Sequence, residues 1–250
     1  MAHTSAKLKA MREGGRLLAC IMQELAAMAK PGITTQALND LAERRTRESG
    51  GVPAFFGYHG FTAGLCTSVN DGMVHGLPGS YILQSGDLLK LDYGVLYDGY
   101  FTDHAITVGI GTISSQAREL LEITREALRI GLEEVYSGAC TGDIGYAIEE
   151  YAHKQGVAVV KSLCGHGINK KLHDNPQIPN FGKAGSGTKL TTGMTIAIEP
   201  MLTLGSEKVR KGADGNVFET VDGSLAAHFE HTVVVTEQGC EILTQCTNSS

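Results

Sequence analysis

Asp92, Asp103, His166, Glu199 and Glu230 are the residues of this chain best suited to chemistry, because the segments that carry the four carboxylates repeat. S-G-D-L-L-K-L-D, ending at Asp92, returns as T-G-M-T-I-A-I-E, ending at Glu199; D-H-A-I-T-V from Asp103 returns as E-H-T-V-V-V from Glu230. Each half of the chain therefore supplies two carboxylates from matching places in strand-like segments. An unpaired carboxylate inside a packed sheet is expensive, and a metal is one of the few partners that satisfies four together. Asp103 and Glu230, in equivalent strands, are the natural bridges between two ions; His166 and Glu199 would complete one ion and Asp92 the other. Mixed carboxylate and imidazole ligation suits two divalent ions of Co, Mn, Fe or Zn better than an all-oxygen calcium cage. Two such ions roughly 3.5–4 Å apart activate water and polarise a carbonyl, which is chemistry for hydrolysis.

Two further histidines fit that chemistry without being ligands. His75 in M-V-H-G-L-P and His173 in K-L-H-D-N-P precede loops rich in glycine or proline, where a positioned N–H can meet a scissile carbonyl and the charge that develops on it. His104 and His231 directly follow Asp103 and Glu230, so strand alternation turns them to the reverse face, with a structural role or one behind the ligands. No catalytic role is read for His3, His59, His153 or His228. Asp71, Asp87 and Asp98 stand beside or near glycine as turn residues, and Cys66 suits a small apolar pocket or the core.

The elements that must position these groups are legible as a duplication. Leu8, Met11, Leu18, Met22 and Leu25 predict a long amphipathic helix stopped by Pro31-Gly32, and a second helix runs from near Thr35 to Gly50-Gly51. The arrangement recurs as a helix from about Ser115 to Tyr136 and another through Ile144, Ala147 and Ile148 to Gly156. Gly32, Thr35, Leu38 and Glu43 match Gly138, Thr141, Ile144 and Glu149 at one constant offset, which chance identity would not preserve through helices, a turn and a strand. The strands expected are Leu88 to Leu96, Phe101 to Val108, Met194 to Leu202 and Phe229 to Val235, with Tyr97-Asp98-Gly99 as a hairpin turn. A register that sets Asp92 nearly opposite Asp103 lets both reach one metal, whereas a slip by one residue separates them.

Bulk properties narrow the alternatives. The 250 residues carry 21 Lys and Arg against 27 Asp and Glu, which argues against a nucleic-acid surface; the K-V-R-K run from Lys208 to Lys211 reads as a solvated loop. The six cysteines are widely spaced, without a C-x-x-C pair or a disulfide-framework pattern. With no secretory leader and no apolar run of the ~18 residues a membrane span needs, a cytoplasmic, reducing location is expected.

The segments S-V-N-D-G-M-V-H-G-L-P, L-D-Y-G-V-L-Y-D-G-Y-F-T-D, C-G-H-G-I, I-A-I-E-P and F-E-H-T resemble the bacterial-type methionine aminopeptidases, a likeness that runs from about Leu8 to Leu243. The resemblance implies an α+β pita-bread (creatinase/aminopeptidase) fold: pseudo-two-fold helix-helix-strand units around an antiparallel sheet, as a single catalytic domain over 1–250 with halves near 8–110 and 111–243. It implies removal of the initiator methionine from nascent polypeptides after deformylation, with a small second residue preferred. It agrees with the five ligands, gives His75 and His173 substrate and transition-state contacts, and adds proton handling to Glu199. It also places Tyr58, Phe61 and Cys66 around the methionine side chain. Leu172 stands where phenylalanine is common and Asn216 where tryptophan is frequent, which bears on the rim and substrate range. The expected partners are new polypeptide N-termini, with transient ribosome proximity, no nucleic acid and no membrane, for a monomer. The rival readings are a proline-cleaving aminopeptidase of the same fold and an inactive relative that acts as a binding protein.

Overall fold

The computed structural model describes residues 6–246. In chain order its elements are helices α1 (Ala6–Met28) and α2 (Thr35–Glu48), strands β1 (Val52–Pro53), β2 (Leu65–Val69), β3 (Gly72–Val74), β4 (Leu88–Tyr97) and β5 (Tyr100–Gly109), and helices α3 (Ser115–Glu133) and α4 (Thr141–Lys154). The remaining strands are β6 (Ala158–Val159), β7 (Cys164–Gly167), β8 (Asp174–Pro179), β9 (Thr195–Ile198), β10 (Met201–Thr203), β11 (Val209–Lys211), β12 (Phe218–Thr220), β13 (Ala226–His228), β14 (His231–Val235) and β15 (Cys240–Ile242).

Capping defines where the helices begin. Thr34 accepts the Ala37 N–H at the start of α2, and Ser114 does the same for Ala117 in α3, which satisfies donors the first helical turn leaves free. The third helix ends at Glu133, short of the expected Tyr136, because the N–H groups of Glu134 and Val135 turn to the carbonyls of Gly131 and Leu132 and tighten the last turn.

The duplication recurs in the backbone bonding. The Gly32 N–H reaches Leu83 O and the Gly138 N–H reaches Leu190 O; Thr35 bonds to Tyr81 and Thr141 to Thr188. Isolated bridges pair Thr34 with Ile82 and Cys140 with Lys189. In the first half, α1 and α2 bury Leu18, Met22, Leu25 and Leu38 with Leu89 and Leu91 of β4. In the second, α3 and α4 bury Leu120, Ala127, Ile144 and Ile148 with Ile196 of β9 and Val233 of β14.

All strand pairings are antiparallel. β1 and β2 pair with one side of the long β4, which also pairs with β5; the largest sheet of the second half runs β15-β14-β9-β7-β8. The β4–β5 turn holds Asp98 at φ 47 and Gly99 at φ 79, the two positive angles that match a two-residue hairpin to strand twist.

Several expectations are corrected. The strand expected over Met194 to Leu202 is two strands, since Pro200 has no N–H to give a ladder. The strand expected over Phe229 to Val235 begins at His231, because the Glu230 N–H leaves its own sheet and donates to Ala105 O of β5 at 2.9 Å. The K-V-R-K run is not a loop: Val209–Lys211 forms β11, paired with β12. Cys20 and Cys246 form a disulfide that local spacing did not signal, since 226 residues separate them. It ties the C-terminal segment to α1, where Arg12 also binds Glu241 through two hydrogen bonds of 2.6 and 2.7 Å.

Candidate metal centre

The two halves meet along a seam between β5 and residues 230–232. There the Asp103 N–H donates to Thr232 Oγ1 at 2.9 Å, and the Thr232 hydroxyl returns a bond to Asp103 O at 2.8 Å. The seam brings Asp103 and Glu230 side by side. Asp92 sits opposite Ala105, and Asp103 opposite Gly94. The two aspartates are therefore diagonal neighbours rather than direct partners, and the even offset keeps them on one face. His166 lies in β7 opposite Ala197 of β9, and Glu199 follows β9 at the break before Pro200.

All five sequence-predicted ligands converge. Asp92, Asp103 and Glu230 form one group and His166, Glu199 and Glu230 another, each with ligand atoms within 4.8 Å of one another. Glu230 is common to both. His173, expected as a donor and not a ligand, also comes within that distance of Asp103 and His166.

The electrostatics ask for cations. Burial first, then the charge of Asp103 and a hydrogen bond with it, hold the Asp92 carboxyl well above its ordinary range. Burial pushes Asp103 up to about 7. Glu199 and Glu230 are raised by burial and by the neighbouring carboxylates. Burial lowers the His166 imidazole to about 4, leaving it neutral, the form that ligates. Glu230 Oε1 is buried without a hydrogen-bond partner. Four crowded carboxylates, a neutral imidazole and an orphaned oxygen are a donor set that fits divalent metal.

The cluster opens into a cavity of about 730 Å3. Phe55, Tyr58, Phe61, Cys66 and Leu172 line it, as do His75, His173, Phe218 and Asn216, so every predicted substrate residue faces this space. The Tyr58 hydroxyl lies 3.0 Å from His173 Nδ1. His75 is held at φ 61, in a region a non-glycine residue rarely occupies, and such positions cluster at functional sites. Its ring meets Phe218 edge-on, with centroids 5.5 Å apart.

His104 and His231 do turn to the reverse face: His104 Nδ1 contacts Glu230 O, and His231 Nδ1 lies 2.8 Å from Thr244 Oγ1. His3 lies outside the described residues. Two residues near the site were missed. Lys90, fully buried, donates to Asn70 O at 2.6 Å and Ala226 O at 3.2 Å, a cationic tie between the halves. His228, given no role from sequence, places Nε2 at 3.4 Å from Glu199 Oε2. For Lys90 the signal was strand alternation, since it stands two residues before Asp92 within β4 and shares its face; His228 ends β13 before the break at Glu230, and alternation gives no signal for it.

Comparison with known proteins agrees with this geometry. The chain is 43% identical over 242 residues to methionine aminopeptidase 1 of Bacillus subtilis, spanning 97% of this chain and 98% of that one. Its structure matches methionine aminopeptidase from Thermotoga maritima with TM-score 0.95 and 37% identity, covering 98% of this chain and 99% of the other. An Xaa-Pro dipeptidase from Bacillus anthracis shares the fold alone, with TM-score 0.77 and 20% identity over 62% of its length. The sequence pattern of metallopeptidase family M24 matches residues 9–237, and this chain, with its converging ligand residues, belongs to that family.

Proposed function

We propose that this chain is a metal-dependent aminopeptidase that releases N-terminal methionine. The observation that carries the reading is the placement of Asp92, Asp103, His166, Glu199 and Glu230 together at a cavity with an apolar wall of Phe55, Phe61, Cys66 and Leu172. Aromatic faces and a soft sulfur suit a flexible thioether. Near-full-length similarity to proteins named methionine aminopeptidase supports the same substrate.

The five residues would hold two divalent ions drawn from Co, Mn, Fe or Zn; when bound, these supply Lewis-acid polarisation of the scissile carbonyl and activation of water. The other groups act on substrate. A Tyr58 hydroxyl donating to His173 Nδ1 leaves the hydrogen of that ring on Nε2, free to donate to the carbonyl oxygen as charge develops there. His75 serves as a second donor. Glu199, already crowded by carboxylates, is suited to accept and return a proton as well as to ligate.

The substrates on this reading are deformylated N-termini of new polypeptides with a small second residue, met near the ribosome in the cytoplasm by a monomer that binds neither nucleic acid nor membrane. No helix among the described residues is long and apolar enough to cross a membrane. A Met-X peptide panel tests the proposal. Highest kcat/KM for Met-Gly, Met-Ala and Met-Ser supports it, whereas preference for X-Pro peptides lacking methionine overturns it.

A further inference from the structure

The Glu199 carboxylate lies between two imidazoles, each facing a different oxygen. His166 Nε2 is 3.7 Å from Oε1, and His228 Nε2 is 3.4 Å from Oε2. His166 belongs to the candidate ligand set, and His228 does not. It is only 1% exposed, and neither of its ring nitrogens has a hydrogen-bond partner. A buried polar ring with both nitrogens idle is costly, and a Glu199 carboxylate oxygen stands 3.4 Å from Nε2.

The backbone of His228 is held firmly. Its N–H donates to Thr107 Oγ1 at 2.9 Å, and the Thr107 hydroxyl donates to His228 O at 2.7 Å. Two residues earlier, Ala226 O accepts from the buried Lys90 ammonium. Both contacts cross between the halves of the chain, so β13 is fixed to β4 and β5, the strands that carry Asp92 and Asp103. His228 is buried, and burial favours the uncharged form of an imidazole. A neutral imidazole has one N–H, and an ionised carboxylate only accepts.

We propose that His228 is a positioning residue: its Nε2–H engages Oε2 of Glu199 and thereby turns Oε1 toward His166 and the reacting groups. The idea rests on the reading of Glu199 as a ligand and proton carrier. An outer group of this kind sets the orientation and basicity of the carboxylate it holds. It touches neither substrate nor ion, and its own protonation does not change.

The test compares His228→Gln, which keeps a neutral N–H donor, with His228→Leu, which keeps bulk but no donor. With Mn2+ as the probe in calorimetric titration, His228→Leu weakens binding by about 10–100-fold, the usual effect of losing such a partner, and His228→Gln recovers most of it. In turnover, His228→Leu lowers kcat by a similar factor, leaves KM little changed and moves a limb of the pH–rate profile. Equal losses in the two variants, or no loss in His228→Leu, overturn the proposal. Ring 15N shifts of wild-type protein decide it even if His228→Leu does not fold: the Nε2–H tautomer supports it and the Nδ1–H tautomer overturns it. The shifts and the Mn2+ titration are independent of substrate, so a failure of methionine cleavage is distinguishable from a failure here.

Discussion

His104 and His231 stack face to face behind the carboxylates they follow in sequence, with ring centroids 4.7 Å apart and planes 8° from parallel. Each ring is tied to a different segment, His104 to Glu230 O and His231 to Thr244 of the disulfide-tethered C-terminal segment. The stack thus links the seam between the halves to the end of the chain.

Burial lowers His104 to about 4 and His231 to about 3. Since these folded-state values lie below the ordinary 6.5, their contribution to stability is full above pH 6.5 and is lost as pH falls toward 4, where the unfolded chain takes up protons that the folded stack refuses. Thermal melts of the metal-loaded protein, in which the ligand carboxylates stay ionised, should show a falling Tm between pH 7.5 and 5. His231→Phe should cost about 1–2 kcal/mol at pH 7.5 through the lost Thr244 bond and flatten that fall; an unchanged pH slope counts against the stack as its source.

Asp103→Ala removes a carboxylate at the centre of the seam. Metal analysis should find the variant depleted in bound divalent ion under conditions that load the wild type, with hydrolysis lost. Full activity of rigorously metal-free wild-type protein contradicts the metal assignment.

His75→Ala and His173→Ala should behave differently from the ligand variant. Both are expected to retain metal while turnover falls by about 10²–10³, the loss that accompanies removal of one transition-state donor. Because His173 lies within ligand distance of Asp103 and His166, its variant is the sharper case: loss of one metal equivalent reassigns it as a ligand.

Formyl-methionine peptides should resist the enzyme. The polar end of the cavity is formed by carboxylates such as Asp92 and Asp103, which accept hydrogen bonds and so suit a free ammonium. A formyl group removes that cation and brings a carbonyl acceptor toward other acceptors. Mass spectrometry of Met-Ala and formyl-Met-Ala peptides, incubated without deformylase, should show cleavage of the first only.

The four carboxylates were legible because duplication wrote their segments twice: D-L-L-K-L-D against M-T-I-A-I-E placed charges where apolar strands do not keep them without a partner. Helix positions followed from apolar spacing and from Pro31-Gly32, which are local properties. Tertiary structure decided what locality cannot hold. Pro200 and the reach of Glu230 N–H to Ala105 broke two expected strands at the two second-half carboxylates, whereas Asp92 and Asp103 remain within continuous strands. The Cys20–Cys246 disulfide joins opposite ends of the chain, invisible to any spacing rule. His228 and Lys90 looked like ordinary strand residues until β13 was laid against β4 and β5. Sequence alone determined which residue types could hold two ions; only the packing of the halves decided which buried neighbours would aim them, because hydrogen-bond geometry across a seam depends on register and not on spacing.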